Sequence, residues 1–455
     1  MNTLDLSRRR LLSLEDTAIP TNVQKLIISY NLLTSLSCLK PLINLIELCA
    51  DNNELASIAD LESMVNLTNL NIGKNKLISL TGIESLVNLT HLHIYCNNLT
   101  SLTGIGQLSN LIILNINYNK LTSLAGIGQL INLKELHVNS NKLTSLTGLD
   151  QLSNLTILHF NDNELTNLVG LDQLTNLKEL YVNNNKLTSF AGLKSMDNLT
   201  MLCINNNNLT NLDGLNQLIN LKILYITHNQ LTSLSGLESM LNLEKLYASD
   251  NQLTSIVGIE LLINLIELNV NNNNLINIAG IGQLINLKGL HVDFNQLTSL
   301  VGIELLINLI ELNVNNNNLI SIAGIGQLIN LKYLQVYDNK ITSLDAIESL
   351  INLKELCVEK NKLKSIIPIY KLNKIHNIDY TYINYEDNEL LPIDQLNLIK
   401  YIDKNKFNNY IYWQLCRKFP RHFRIAIFKS LKDLLVNEFK NELSKNEHFK
   451  ISYKL

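Results

Sequence analysis

The sequence predicts an α/β solenoid: stacked 22-residue coils, each with one short strand of a single parallel sheet and a compact return segment. Three observations predict it. An asparagine recurs every 22 residues in unbroken register, sixteen times, from Asn31 through Asn97, Asn141 and Asn185 to Asn361. Seven apolar positions repeat with it; between Asn75 and Asn97 they are Leu77, Leu80, Ile83, Leu86, Leu89, Leu92 and Ile94. Twelve of the 18 glycines form a further column, from Gly82 to Gly324. Self-similarity at this period marks stacked coils, and a stack's usual work is to present a surface.

Each element of one coil follows from its residues. Leu92 and Ile94 stand two apart, which is strand spacing, whereas the other apolar gaps are three, which suits tight turns and 3₁₀ segments. The strand is therefore expected at Leu92-His93-Ile94, the turn at Asn97, and the return over the next leucines, too short and punctuated for a long α-helix. One coil cannot bury seven apolar side chains alone. Stacked coils bury them against the same columns above and below, each contributing ~1.5–3 kcal/mol against an ordering entropy of similar size. At the turn, backbone groups leave the strand without ladder partners, and an asparagine amide supplies both donors and acceptors. A second asparagine column, from Asn22 and Asn44 to Asn352, precedes each strand and is expected to serve the other corner. The glycines, just after the first two leucines of the return, point to positive φ or close coil-to-coil approach.

The pattern Leu-x-x-Leu-x-Ile-x-x-Asn-x-Leu, at Leu89 to Leu99, resembles the leucine-rich repeat, and the 22-residue length is similar to the class found in the phosphatase-1 regulatory subunit and in bacterial internalins. The resemblance covers residues 1 to about 392. It implies a right-handed solenoid with the parallel sheet on the concave face and short 3₁₀-like coils on the convex face. For function it implies a binding protein, without naming what is bound.

The two ends depart from the repeat. One period before Asn31 stands Arg9, which carries only donors and cannot reproduce inward hydrogen bonding, so the first coil is expected to open to solvent. Seventeen registered repeats run to about Ser365. One degenerate coil follows, in which Pro368 displaces the glycine column, Ile375, Ile378 and Tyr380 fill apolar columns, and Ile383 stands where the asparagine is due. The expected domains are thus a solenoid over 1–392 and a basic, aromatic-rich helical cap over 393–455. The cap region holds 11 of the 26 aromatics, including Trp413. Phe423, Ile427, Leu431, Leu435, Phe439 and Leu443 recur every four residues after Pro420, an amphipathic helix. A preceding helix over roughly 395–417 carries Leu398, Ile402, Tyr410 and Trp413.

The net charge of −3 is uneven: residues 393–455 carry 13 Lys/Arg against 6 Asp/Glu, which leaves the rest with 24 against 34. Neither balance calls for nucleic acid or a membrane surface. No apolar run is long enough to span a bilayer, and no signal peptide is evident after Arg8-Arg9-Arg10. Cys49, Cys203 and Cys357 share a column but lie seven coils apart, ~34 Å at ~4.8 Å per strand, too far to bond. A reducing, cytoplasmic location is expected, in a host cell if the source is viral or bacterial. Richness in Asn, Ile, Leu and Lys suits an AT-rich genome. Residues 257–288 and 301–332 differ only at Asn277 and Ser321, the mark of a recent 44-residue copy.

The position four residues before each ladder asparagine is expected to face outward. It reads His93, Asn115, His137, His159, Tyr181, Cys203, Tyr225 and Tyr247 over the middle of the array, and two residues earlier the flanking column supplies Glu135 and Glu179. Aromatic rings with polar tips beside carboxylates are what protein-binding surfaces favour. The plainer alternative is that Tyr and His merely suit exposed strands. His91, His93, His137 and His159 are not expected to hold a metal, because a flat sheet does not converge ligands tetrahedrally. No catalytic motif is present: the Gly-x-Gly at Gly104 and Gly106 belongs to the repeat, and neither Gly-x-Ser-x-Gly nor His-Glu-x-x-His occurs.

The reading is a monomeric, non-enzymatic scaffold without cofactor that binds a protein through His93, His137, His159, Tyr181, Tyr225, Tyr247, Glu135 and Glu179. The alternatives are a regulatory subunit of a Ser/Thr phosphatase, through the resemblance, and an effector enzyme using Cys416 in the tail.

Overall fold

The computed structural model describes residues 2–376, 382–384 and 387–389. They form one parallel sheet with a strand every 22 residues, from Thr3–Asp5 and Lys25–Ile27 to Glu355–Cys357, and a last strand at Tyr382–Asn384. Up to Glu355–Cys357, each residue pairs with the one 22 positions later, as Leu92 does with Leu114. The strands are only three residues long, and the one expected at Leu92–Ile94 is observed at His91–His93. Leu92 is thus the buried centre of its strand, and positions 91 and 93 flank it, half-buried, on the open face. All seven apolar columns are buried; in the coil before Asn97 their members Leu77, Leu80, Ile83, Leu86, Leu89, Leu92 and Ile94 are at most 2% exposed.

The turn asparagines close each coil onto its neighbours. Asn97 donates its amide Nδ2 to the carbonyls of Ile72 (3.0 Å), Ile94 (3.2 Å) and Tyr95 (3.3 Å) and accepts at Oδ1 from the Leu77 amide (3.0 Å). The same pattern repeats in coil after coil, for example at Asn185 and Asn251. Each side chain therefore satisfies groups in two coils, which explains why this amide stays buried at 5–8% exposure. The second asparagine column does serve the other corner. From Asn66 to Asn352 each member donates to the carbonyl 23 residues earlier, as Asn88 does to Val65 (2.8 Å) and Asn308 to Ile285 (2.9 Å).

The column glycines all have positive φ, from 89° to 108°. A second left-handed column was not expected. The residue just before each ladder asparagine also has positive φ, from 49° to 58°, and the column includes Lys74, Cys96, Tyr118 and Phe294. A sharp reversal out of the strand requires that backbone, and the side chains there point away from the core: Tyr118 and Phe294 are 58% and 55% exposed.

The ends divide. Arg9 is exposed, and its guanidinium reaches only the Asp5 carbonyl (3.2 Å), as expected for a donor-only side chain. Asn31 compensates by accepting from both the Arg9 and Leu11 amides (3.0 Å each). The far end corrects the sequence expectation. Ile383, thought to occupy the asparagine position, is the central strand residue opposite Leu356. The ladder is continued instead by Asn388, which accepts from the Leu363 amide (3.0 Å) and donates to the Val358 carbonyl (2.9 Å), with Asp387 before it at φ 56°. The coil is five residues longer because its return segment is an α-helix, Ile367–His376, with Pro368 in the first turn, where a missing amide hydrogen costs nothing. Ile369 and Leu372 carry the core into this coil. The boundary expected at 392 and the cap expected over 393–455 lie outside the described residues.

Candidate functional site

In-register pairing brings the outward columns into rows. On the third strand position His137 lies opposite His159, and His159 opposite Tyr181. Their rings stack, with centroids 4.5 Å and 4.1 Å apart and interplanar angles of 26° and 7°. Two coils on, Tyr225 and Tyr247 stack at 4.5 Å and 5°. Between the blocks sits Cys203, 5% exposed, paired with both Tyr181 and Tyr225. The structure therefore joins five of the six expected rings into two blocks separated by one small side chain. His93 stands apart, because Asn115 occupies the intervening strand.

The first strand position supplies the carboxylates. Glu179 accepts from the Tyr181 hydroxyl (2.8 Å), and Glu135 lies 3.7 Å from His137 Nε2. Burial and the Glu179 hydrogen bond push the Tyr181 phenol up, and burial with Glu267 does the same for Tyr247, so both remain hydrogen-bond donors across the physiological range. Burial raises the Cys203 thiol to about 12, which leaves it protonated and unreactive. Stacked imidazoles lie face to face and do not aim their nitrogens at a common point. Among the described residues no group of three or more His, Cys, Asp or Glu is placed to hold a metal ion.

One feature of the site escaped sequence reading. Beside the rings, Asn117, Asn139, Asn161, Asn183 and Asn205 form a side ladder, each Oδ1 accepting from the amide one coil later at 2.6–2.8 Å. It braces the turns of the coils from His137 to Tyr225. The signal was the Asn-x-Asn spacing at 117/119, 139/141 and 161/163, hidden within an already asparagine-rich repeat.

The histidines make stability pH-dependent. Burial, with His137 beside it, lowers His159 from 6.5 to about 4, and burial also lowers His137 against the pull of Glu135. A base whose folded pKa lies below its unfolded value is protonated first in the unfolded chain. Its neutral form therefore favours folding above about pH 6.5, and stability falls as pH drops from there through the folded pKa near 4. The thermal midpoint should decline over this window, and His159→Tyr, which copies the next strand's ring, should flatten the decline. An unchanged slope in that variant would remove His159 from the explanation.

One short strand per coil, two asparagine ladders and a left-handed glycine column define a leucine-rich repeat solenoid of the 22-residue class. Comparison with known proteins agrees. The family model described as Leucine Rich repeats (2 copies) matches residues 109–151, 153–195 and 197–239. A leucine-rich repeat protein of Leptospira interrogans is 33% identical, over 85% of this chain and 95% of that one, with a TM-score of 0.69. The chain belongs to the leucine-rich repeat family. YopM from Yersinia enterocolitica aligns at 25% identity over 86% of this chain and 88% of its own, with a TM-score of 0.64. The functional domain of InlJ from Listeria monocytogenes aligns at 26% over 70% and 73%, with a TM-score of 0.56. No curated protein matches the sequence.

Proposed function

We propose that this protein is a non-enzymatic scaffold that binds a protein partner along its sheet face. The family supports the general reading, since leucine-rich repeat proteins serve mostly as interaction scaffolds. The observation that carries the specific one is the pair of stacked blocks, His137–His159–Tyr181 and Tyr225–Tyr247, on a braced sheet. Rings already stacked and hydrogen-bonded lose little freedom on binding, so more of their contact energy appears as affinity. Glu135 and Glu179 add acceptors for basic groups on the partner.

The test is affinity capture with mass spectrometry, comparing the intact chain with a Tyr181/Tyr225/Tyr247→Ala variant and with a Thr144/Thr166/Thr188→Ala variant in exposed return segments. Each hot-spot ring is worth about 2 kcal/mol or more, so the partner should vanish from the tyrosine variant and persist in the threonine variant. Equal recovery from both would refute the sheet-face reading. A Ser/Thr phosphatase among proteins lost specifically with the tyrosines would favour the regulatory-subunit alternative.

A further inference from the structure

Three exposed positions of the return segment change character in four consecutive coils. One column is threonine in eight successive coils, from Thr100 to Thr254, then alternates as Ile276, Thr298, Ile320 and Thr342. A second is Ser, Thr, Ala or Asp in most coils but reads Val257, Ala279, Val301 and Ala323 here. A third is Ser or Gln in every coil from Ser63 to Ser349 except at Leu261 and Leu305. The repeat therefore does not account for these six aliphatic side chains, each of them 52–76% exposed. They lie on or beside the 3₁₀ segments Ile281–Gln283, Ile303–Leu305 and Ile325–Gln327 and their counterpart one coil earlier, so none is on the sheet. Duplication doubled the set; it does not explain why Val257, Leu261 and Ile276 left the repeat pattern. At about 100 Å² each, the six offer roughly 600 Å² of apolar surface, more than scattered residues give and the low end of what each partner buries in a stable interface.

We propose that this patch joins two copies of the chain back to back about a two-fold axis, with their solenoids antiparallel. The surface alternates coil by coil. The coils of Val257 and Val301 each present Thr, Val, Glu and Leu, and those of Ala279 and Ala323 each present Ile, Ala, Gly and Gln. A two-fold axis running across the coils, between Ala279 and Val301, reverses their order and keeps each column facing itself. Val257 then meets Ala323 of the second copy, Val301 meets Ala279, and Ile276 meets Thr298. Every valine and isoleucine faces a smaller side chain, and each leucine faces a glutamine. This self-complementarity is what a closed dimer requires. A shallow depression lined by Ala323, Gly324, Gly326 and Ala346 receives Val257. Leu305 is a fixed knob: it rests on Gly282, where a Cβ would lie 2.8 Å from its Cδ1. The same axis sets Glu260 and Glu304 against Gly326 and Gly282, so these carboxylates do not meet. Each already accepts a glycine amide of its own coil, from Gly258 (2.8 Å) and Gly302 (3.0 Å). A parallel pairing would instead set each coil on its twin, with Glu304 near the second copy's Glu304, a repulsive contact. Ser235 and Ser239 on one side, and Asp345 and Ser349 on the other, supply a polar rim. The proposal departs from the monomer expected from the sequence, and it is independent of the sheet-face reading.

Sedimentation of the full chain at tens of micromolar should give twice its 51.5 kDa mass. Val257→Lys/Val301→Lys should weaken association by about a hundredfold or more, with the thermal midpoint unchanged because both side chains are exposed. A disulfide trap then reads the orientation. Val257→Cys and Ala323→Cys, carried on separate chains and mixed, should give a 257–323 link between chains, identified by mass spectrometry. Neither variant alone should form a link at its introduced cysteine, because a like pair sits three coils, about 14 Å, out of register. A chain that stays monomeric, a dimer that the lysines leave intact, or a mixture without the 257–323 link would each overturn the proposal.

Discussion

Asn185→Leu should lower the stability of the array by at least about 3 kcal/mol, because it strands several buried backbone groups at once, each costing ~1–3 kcal/mol when unpaired. Its amide donates to the carbonyls of Phe160 (2.9 Å), Val182 (3.2 Å) and Asn183 (3.1 Å), and its Oδ1 accepts from Leu165 (3.0 Å). Leucine is nearly the same size and can make none of these bonds. Asn184→Leu is the matched control. Asn184 is exposed at φ 54° and its side chain donates to Asp162 (2.9 Å), so its replacement should cost about 1 kcal/mol, mostly from a leucine held in the left-handed region. Chemical-denaturation midpoints of the two variants decide it: coincident midpoints would sink the ladder assignment.

Gly258→Ala should be the second damaging change, and Gly148→Ala its calibration. Both glycines have positive φ, 108° and 97°, so either alanine adopts a backbone that costs ~1–2 kcal/mol. They differ in what a Cβ meets. At Gly258 it would lie 2.8 Å from the Leu234 carbonyl oxygen and 2.9 Å from its carbon, whereas at Gly148 nothing is nearer than 3.7 Å. The Leu234 carbonyl cannot simply swing aside, since it accepts the Leu237 amide (3.3 Å). Gly258→Ala should therefore cost a further ~1–3 kcal/mol of overpacking strain beyond Gly148→Ala. Equal losses would mean that the coils re-space freely and that the glycine column answers to φ alone.

The array was legible because every coil repeats the same physical problem. Period 22, the apolar columns and the asparagines each fix the strand, the turn and the corner independently, so errors of one residue, such as the strand at His91 rather than Leu92, do not propagate. The terminal coil was misread for the opposite reason. Once the return segment becomes the helix Ile367–His376, counting by 22 lands on Ile383 rather than on Asn388, and only the hydrogen bonds to Leu363 and Val358 identify the true ladder residue. The left-handed residues before each asparagine were only half marked in sequence: Asn52, Asp162, Asn184 and Asp250 are residue types that favour that backbone, but Lys74, Cys96 and Phe294 accept it too when their outer atoms are in water. The site was partly legible. Its members could be read from one column, but which rings touch depends on Asn115 and Cys203 as spacers, and the bracing by Asn117 to Asn205 was lost among other asparagines.

The nearly identical segments 257–288 and 301–332 lie between the second ring block, Tyr225–Tyr247, and the end of the array. In a stack with one strand per coil, copying 44 residues inserts two strand spacings and nothing else, about 9.6 Å at ~4.8 Å each. The chain is in this sense a ruler graduated in coils. Duplication or loss of such a block resets the distance between whatever the rings grip and whatever the far end carries, while each coil keeps the contacts it had before.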